Sequence, residues 1–129
     1  MTLDDRPRPT EAELIILRVL WDHGPLSVRA VLRILNLEKP FGYTNILKTM
    51  QVMTDKGLLL RDESCRPQIY RTRDSRDQTQ SQLLRHMVER AFGGSTRAMV
   101  LHALSDQKSS DADLAEIEAL LDKLEGAKK

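Results

Sequence analysis

The chain of 129 residues carries 20 basic and 19 acidic side chains, a formal charge of +1, 40% apolar residues and only 4% aromatics. No apolar run approaches the roughly 18–20 residues of a membrane span, and the N-terminal MTLDDRPRPTEAE lacks the apolar stretch of a secretion signal, so no membrane insertion and a cytoplasmic location are expected. A single cysteine, Cys65, excludes an internal disulfide and any multi-cysteine metal cage, and neither a metal nor a cofactor is expected. The neutral total conceals a division: residues 1–73 hold 12 basic and 9 acidic side chains, whereas residues 74–129 hold 8 and 10. A polyanionic partner is therefore expected on the N-terminal portion.

Residues 1–9, with two prolines and no periodic apolar pattern, read as a flexible arm. Thr10-Glu11-Ala12-Glu13 fits a capping box that opens a helix carrying Leu14, Leu17, Val19, Leu20 and Trp21 and stopping at Gly24-Pro25. Ser27 caps a second helix, with Val28, Val31, Leu32 and Leu35 at three- and four-residue spacing. After a connector from Asn36 to Gly42, a third helix is predicted from Tyr43 to Lys56, ending at Gly57 in the left-handed conformation. Two strands follow, Leu58–Glu63 and Gln68–Thr72, joined by the turn Ser64-Cys65-Arg66-Pro67. Three helices and a hairpin within about 65 residues are the order of a winged helix-turn-helix.

The remainder reads as wholly helical. Leu83, Leu84, Met87, Val88, Ala91 and Phe92 line one helix that ends at Gly93-Gly94. Ala98, Val100, Leu101 and Leu104 belong to a short second one, and Ser110 with Asp113 caps a last helix carrying Leu114, Ile117, Leu121 and Leu124. That final spacing is the seam of a helix–helix contact, although it lasts less than two heptads. A tail this short buries its stripes poorly alone, so a homodimer is expected, with Leu84, Met87, Val88, Ala91, Val100, Leu104, Leu114, Ile117, Leu121 and Leu124 as its contact residues.

On a helical wheel, Ile46, Leu47, Met50, Met53 and Thr54 share one face of the third helix. Thr44, Asn45, Lys48, Gln51, Val52 and Asp55 fall opposite. Asn and Gln pair bidentately with adenine, Thr meets an acceptor or a thymine methyl, and Lys reaches guanine or phosphate. The same pattern also describes an ordinary solvated face; its position as third helix before a hairpin is what favours DNA. Tyr43, Thr44, Asn45, Lys48, Thr49, Gln51 and Val52 are therefore the expected readers. The hairpin adds Arg61, Arg66, Arg71 and Arg73, of which Arg61 either meets DNA or pairs with Asp62 and Glu63, and Arg66 at the tip lacks an evident partner and is expected on the phosphate backbone.

The three histidines, His23, His86 and His102, show no metal-binding spacing, and there is no glycine-rich phosphate loop or nucleophile elbow, so no enzyme is expected. Cys65 beside Arg66 leaves open a redox-responsive regulator, against an incidental thiol. A winged helix that binds a protein partner instead of DNA is the other alternative.

The segments TEAELIILRVLWDHGPLSVRAVLRIL, GYTNILKTMQVMTDKGLLLRDES and IYR, together with QLLRHMVERAFGGSTRAMVLHAL and DLAEIEALLDKL, resemble the BlaI/MecI family of penicillinase and methicillin-resistance repressors over about residues 10–125. The resemblance implies a homodimeric bacterial transcriptional repressor on a dyad-symmetric operator of double-stranded DNA, inducible through its dimerisation region, with a membrane sensor-protease pathway upstream in the β-lactam-responsive members. It also marks departures. The bond matching the cleavage site is His102-Ala103 instead of Asn-Phe, Val52 stands where a basic residue is frequent, and Cys65 stands where glycine is usual. The expected organisation is thus a mainly α chain: an arm over 1–9, a winged-helix DNA-binding domain with a two-stranded wing over 10–73, and an all-helical dimerisation domain over 74–129.

Overall fold

The computed structural model describes residues 7–37, 40–106 and 111–127, without the side chains of residues 106, 121 and 124–127. Its elements run α1 (Glu11–His23), α2 (Val28–Leu35), α3 (Tyr43–Lys56), β1 (Leu59–Asp62), β2 (Ile69–Thr72), α4 (Arg76–Ala91), α5 (Thr96–Asp106) and α6 (Asp111–Ala127). The chain forms two compact units, Met1–His86 and Met87–Lys129. It is mainly helical, with a winged-helix arrangement of three helices and a two-stranded antiparallel wing. Among the described residues no helix is long and apolar enough to cross a membrane.

In the first unit, local chemistry sets the helix ends. Thr10 Oγ1 accepts from the Glu13 amide (3.2 Å) while Glu13 Oε1 accepts from the Thr10 amide (2.8 Å), so two otherwise orphaned donors are satisfied at the start of α1. Ser27 Oγ accepts from the Ala30 amide (3.2 Å) to start α2. At the end of α3, Gly57 takes φ +87°, and the Leu58 amide donates back to the Met53 carbonyl (2.8 Å). That six-residue closure is a Schellman motif. It also explains why β1 begins at Leu59 and not at Leu58: the Leu58 amide is committed to the helix it leaves.

The apolar stripes of α1, α2 and α3 converge on one core. Ile16, Leu17 and Leu20 meet Val31, Ile46, Met50, Met53, Leu59 and Tyr70, with Val31, Met50 and Met53 fully excluded from water. The wing is antiparallel with Leu59 opposite Thr72 and Arg61 opposite Tyr70. Its inner edge is tied to the helices: Leu26, between α1 and α2, exchanges both backbone hydrogen bonds with Tyr70 (3.0 and 2.8 Å).

Helix α4 begins at Arg76, well before the first apolar position of its predicted stripe, because a second reciprocal cap lies there. Ser75 Oγ accepts from the Gln78 amide (3.1 Å), and Gln78 Oε1 accepts from the Ser75 amide (2.9 Å). Its first turn rests on α1: Arg76 pairs with Asp22 and stacks 5.8 Å from the Trp21 ring, whose Nε1 donates to the Asp74 carbonyl (3.4 Å). At the other end of the chain's first helix, Pro9 is buried and Arg8 hydrogen-bonds His86.

The second unit takes the end of α4 with α5 and α6. Gly93 and Gly94 both adopt positive φ, and the Gly94 amide closes α4 on the Val88 carbonyl (2.9 Å). Ser95 Oγ then caps α5 through the Ala98 amide (3.0 Å). The predicted cap at Ser110 lies outside the described residues.

Candidate nucleic-acid interface

Helix α3 divides its surface as the wheel requires. Ile46, Met50 and Met53 are buried, Leu47 and Thr54 are half-buried, and Thr44, Asn45, Lys48, Gln51, Val52 and Asp55 are exposed. The Thr54 hydroxyl donates to the Met50 carbonyl (2.8 Å), so even the polar member of the inner face is satisfied within the helix. Two of the expected readers differ from the rest. Thr49 is only half-exposed and its hydroxyl donates to the Asn45 carbonyl (2.8 Å), so that donor is engaged within the helix. Val52 is 42% exposed, an apolar side chain on a polar face, and offers a surface suited to a thymine methyl.

Delivery of α3 depends on the connector before it. Asn36 Oδ1 accepts from the Phe41 amide (2.6 Å), a contact that joins the C-cap of α2 to the residue before Gly42, the N-cap of α3. Tyr43, the first helical residue, is 38% exposed. The guanidinium of Arg29, on the first turn of α2, lies 4.8 Å from its ring centroid.

On the wing, Arg61 pairs with Glu63 (3.0 Å). Its already high pKa is raised first by the Tyr70 hydroxyl and further by Glu63. Arg61 is thus engaged within its own hairpin, the pairing alternative that the sequence leaves open. Arg66 is exposed and has no ion pair among the described residues. The tip is ordered by Asp62, whose carboxylate accepts from the Ser64 hydroxyl and amide (3.0 Å for the amide), contacts that hold it below the usual carboxylate range. The half-buried Cys65 thiol donates to Asp62 Oδ2 (3.7 Å). Its polar neighbour is therefore a carboxylate.

Periodicity did not reveal the ion pair behind α3. Glu13 is nearly buried, with 5% of its side chain exposed, and both its oxygens accept from Lys56 Nζ (2.9 and 3.0 Å). Burial opposes ionisation of Glu13, but the Thr10 amide, Lys56 and the Thr10 hydroxyl outweigh it and set the pKa below its usual value. A signal was present, since the capping glutamate faces inward, but its partner lies 43 residues away.

Of the expected dimer contacts, Leu84, Met87, Ala91 and Leu114 are exposed, Val100, Leu104 and Ile117 are half-buried, and Val88 is buried within its own chain. The side chains of Leu121 and Leu124 lie outside the described residues. Among the described residues, no group of three or more His, Cys, Asp and Glu side chains could hold a metal ion.

A family model described as penicillinase repressor matches residues 9–123. No curated protein matches the chain significantly. Among solved structures, the chain is similar to one titled "Structure of reduced AbfR bound to DNA", at 16% identity and a TM-score of 0.43, over 94% of this chain and 75% of that one. At that distance the likeness has no bearing on function.

Proposed function

The chain belongs to the penicillinase repressor family, and from that premise we propose that it is a sequence-specific DNA-binding transcriptional repressor that acts as a homodimer on a dyad-symmetric operator. The observation that carries this reading is one surface. A helix exposing Thr44, Asn45, Lys48, Gln51 and Val52 stands beside a hairpin with an exposed arginine at its tip, both fixed to the same core.

In this mechanism α3 enters the major groove with its N-terminal residues against base edges, and the wing lies on the adjoining backbone. Thr44, Asn45, Gln51 and Val52 distinguish bases, while Lys48 and Arg66 supply charge. Arg61, held by Glu63, shapes the wing. Helices after residue 74 pair two protomers so that their reading helices stand about 34 Å apart, one DNA turn. Occupancy of the operator blocks transcription, and any event that weakens the dimer releases DNA without touching a base contact. The His102–Ala103 bond, the counterpart of the family's cleavage bond, lies inside α5, so a protease acting there must first unwind a helix. A membrane sensor-protease is the upstream partner this route calls for.

Gel shifts with a random-sequence duplex and with the promoter upstream of the protein's own gene, at two salt concentrations, test the reading. Binding that favours the promoter and weakens steeply with salt is expected. Asn45→Ala should cost about 1–3 kcal/mol on the preferred sequence, and Arg66→Ala should weaken all duplexes alike while lowering the salt slope by about one. Absence of binding at low salt overturns the reading in favour of a protein partner.

A further inference from the structure

The sequence pattern gives Arg29 no part in DNA recognition, yet the fold sets it against the first residue of the reading helix. Its guanidinium lies 4.8 Å from the centroid of the Tyr43 ring, within the range of a cation–π contact. Arg29 is exposed and has no carboxylate partner among the described residues. Beside the pair is a recess of about 240 Å³, lined by Ser27 and Arg29 at the start of α2, Tyr43 from α3, and Pro67, Gln68 and Tyr70 at the turn end of β2. The recess therefore lies where the three parts that would touch DNA adjoin: the entrance of α2, the reading end of α3 and the turn end of the hairpin's second strand.

An exposed arginine ordinarily samples many rotamers, and ordering it on binding costs side-chain entropy. Stacking on a ring removes part of that cost beforehand, and leaves the N–H edge of the guanidinium free, because the ring engages only its face. A planar cation held beside a recess is suited to a phosphate oxygen, and in a duplex-binding protein the phosphates nearest the reading end of α3 are those of the operator backbone.

We propose that Arg29 and Tyr43 act as one unit, a stacked cation that grips a backbone phosphate of the bound DNA at this recess and thereby fixes how deeply the N-terminal end of α3 enters the groove. The proposal rests on the DNA-binding function proposed for the chain and adds to it a positioning residue on α2. Tyr43 serves as the platform for the cation, not as a reader of bases.

The test measures affinity of the full-length protein for a random-sequence duplex across a salt series. Arg29→Ala is expected to weaken binding and to lower the slope of log K against log salt by about one, as for loss of one phosphate contact. Tyr43→Leu, which removes the ring face, should weaken binding in the wild-type background but much less in the Arg29→Ala background. Tyr43→Phe, which keeps the face, should match wild type. An unchanged slope in Arg29→Ala, or additive losses in the double variant, overturns the proposal. Should Arg29→Ala lose its circular-dichroism signature, Arg29→Gln carries the same measurement. Failure of the wild-type protein to bind the duplex at low salt instead strikes the underlying DNA-binding function, so the two failures are told apart.

Discussion

The two compact units of this chain handle their apolar side chains in opposite ways. In Met1–His86, the stripes of three helices and both strands meet in one core, and residues such as Ile16, Met50 and Leu59 are almost wholly withdrawn from water. In Met87–Lys129, Met87, Leu101, Leu114 and Leu120 are 40–56% exposed, and Val88 is the one fully buried apolar side chain among the described residues. Covering what remains of each exposed side chain is favourable at about 25 cal/mol per Å² of apolar surface. The first unit therefore has the means to fold on its own resources, whereas the second carries uncovered hydrophobic surface. That contrast is the physical support for assigning recognition to one and self-association to the other.

The largest expected effects set the two units directly against each other. Met50→Ala, at the centre of the three-helix core, should cost about 2–5 kcal/mol in denaturant unfolding. Leu114→Asp should leave that unfolding midpoint in place and convert a dimer to a monomer in sedimentation, with a matching loss of DNA affinity. A tight dimer after Leu114→Asp refutes the role given to the tail.

A smaller effect tests how the first unit holds charge at its edge. Lys56→Met leaves the nearly buried Glu13 carboxylate without its cation and should destabilise the unit by about 1–3 kcal/mol. Because the folded pKa of Glu13 lies below its usual value of 4.5, its contribution is complete above that pH and is lost as pH falls through the folded value. Thermal unfolding followed from neutral pH down to the acid range should show a shallower acid decline in Glu13→Gln than in wild type. Parallel declines would mean that the pair contributes nothing.

The smallest expected effect concerns the wing. Cys65→Ser should bind DNA as wild type does, with or without mild oxidant, since the half-buried thiol is hydrogen-bonded to Asp62 within its own turn. Oxidant that weakens wild type and spares Cys65→Ser would make the hairpin a redox sensor.

Local chemistry made most of the fold legible in the sequence. Thr10 with Glu13, Ser27, and Gly57 each mark a helix end through contacts within a few residues, and the inner stripe of α3 was readable as a rotation angle. What escaped is non-local. Periodicity says that Glu13, Leu26 and Arg29 occupy helix or connector positions, but not that they meet Lys56, Tyr70 and Tyr43. The early start of α4 escaped for another reason: its first turns are polar, and the Ser75–Gln78 cap precedes a stripe that begins only at Leu83. At the site, the exposed face of α3 followed from the sequence, whereas the choice of Glu63 over Asp62 as the carboxylate beside Arg61 is a matter of hairpin geometry, and this exposed pair leaves Arg61 accessible to DNA.

The Glu13–Lys56 pair has a mechanical side as well. Lys56 is the last residue of α3, and it is fastened to the first turn of α1 at the end opposite Tyr43. With 14 residues, α3 is about 21 Å long; Ile46, Met50 and Met53 seat it along its inner face, and the pair adds a tie at its last residue. The carboxylate at position 13 thus joins the first turn of one helix to the last residue of another, closing the three-helix core at a point that its apolar side chains do not reach.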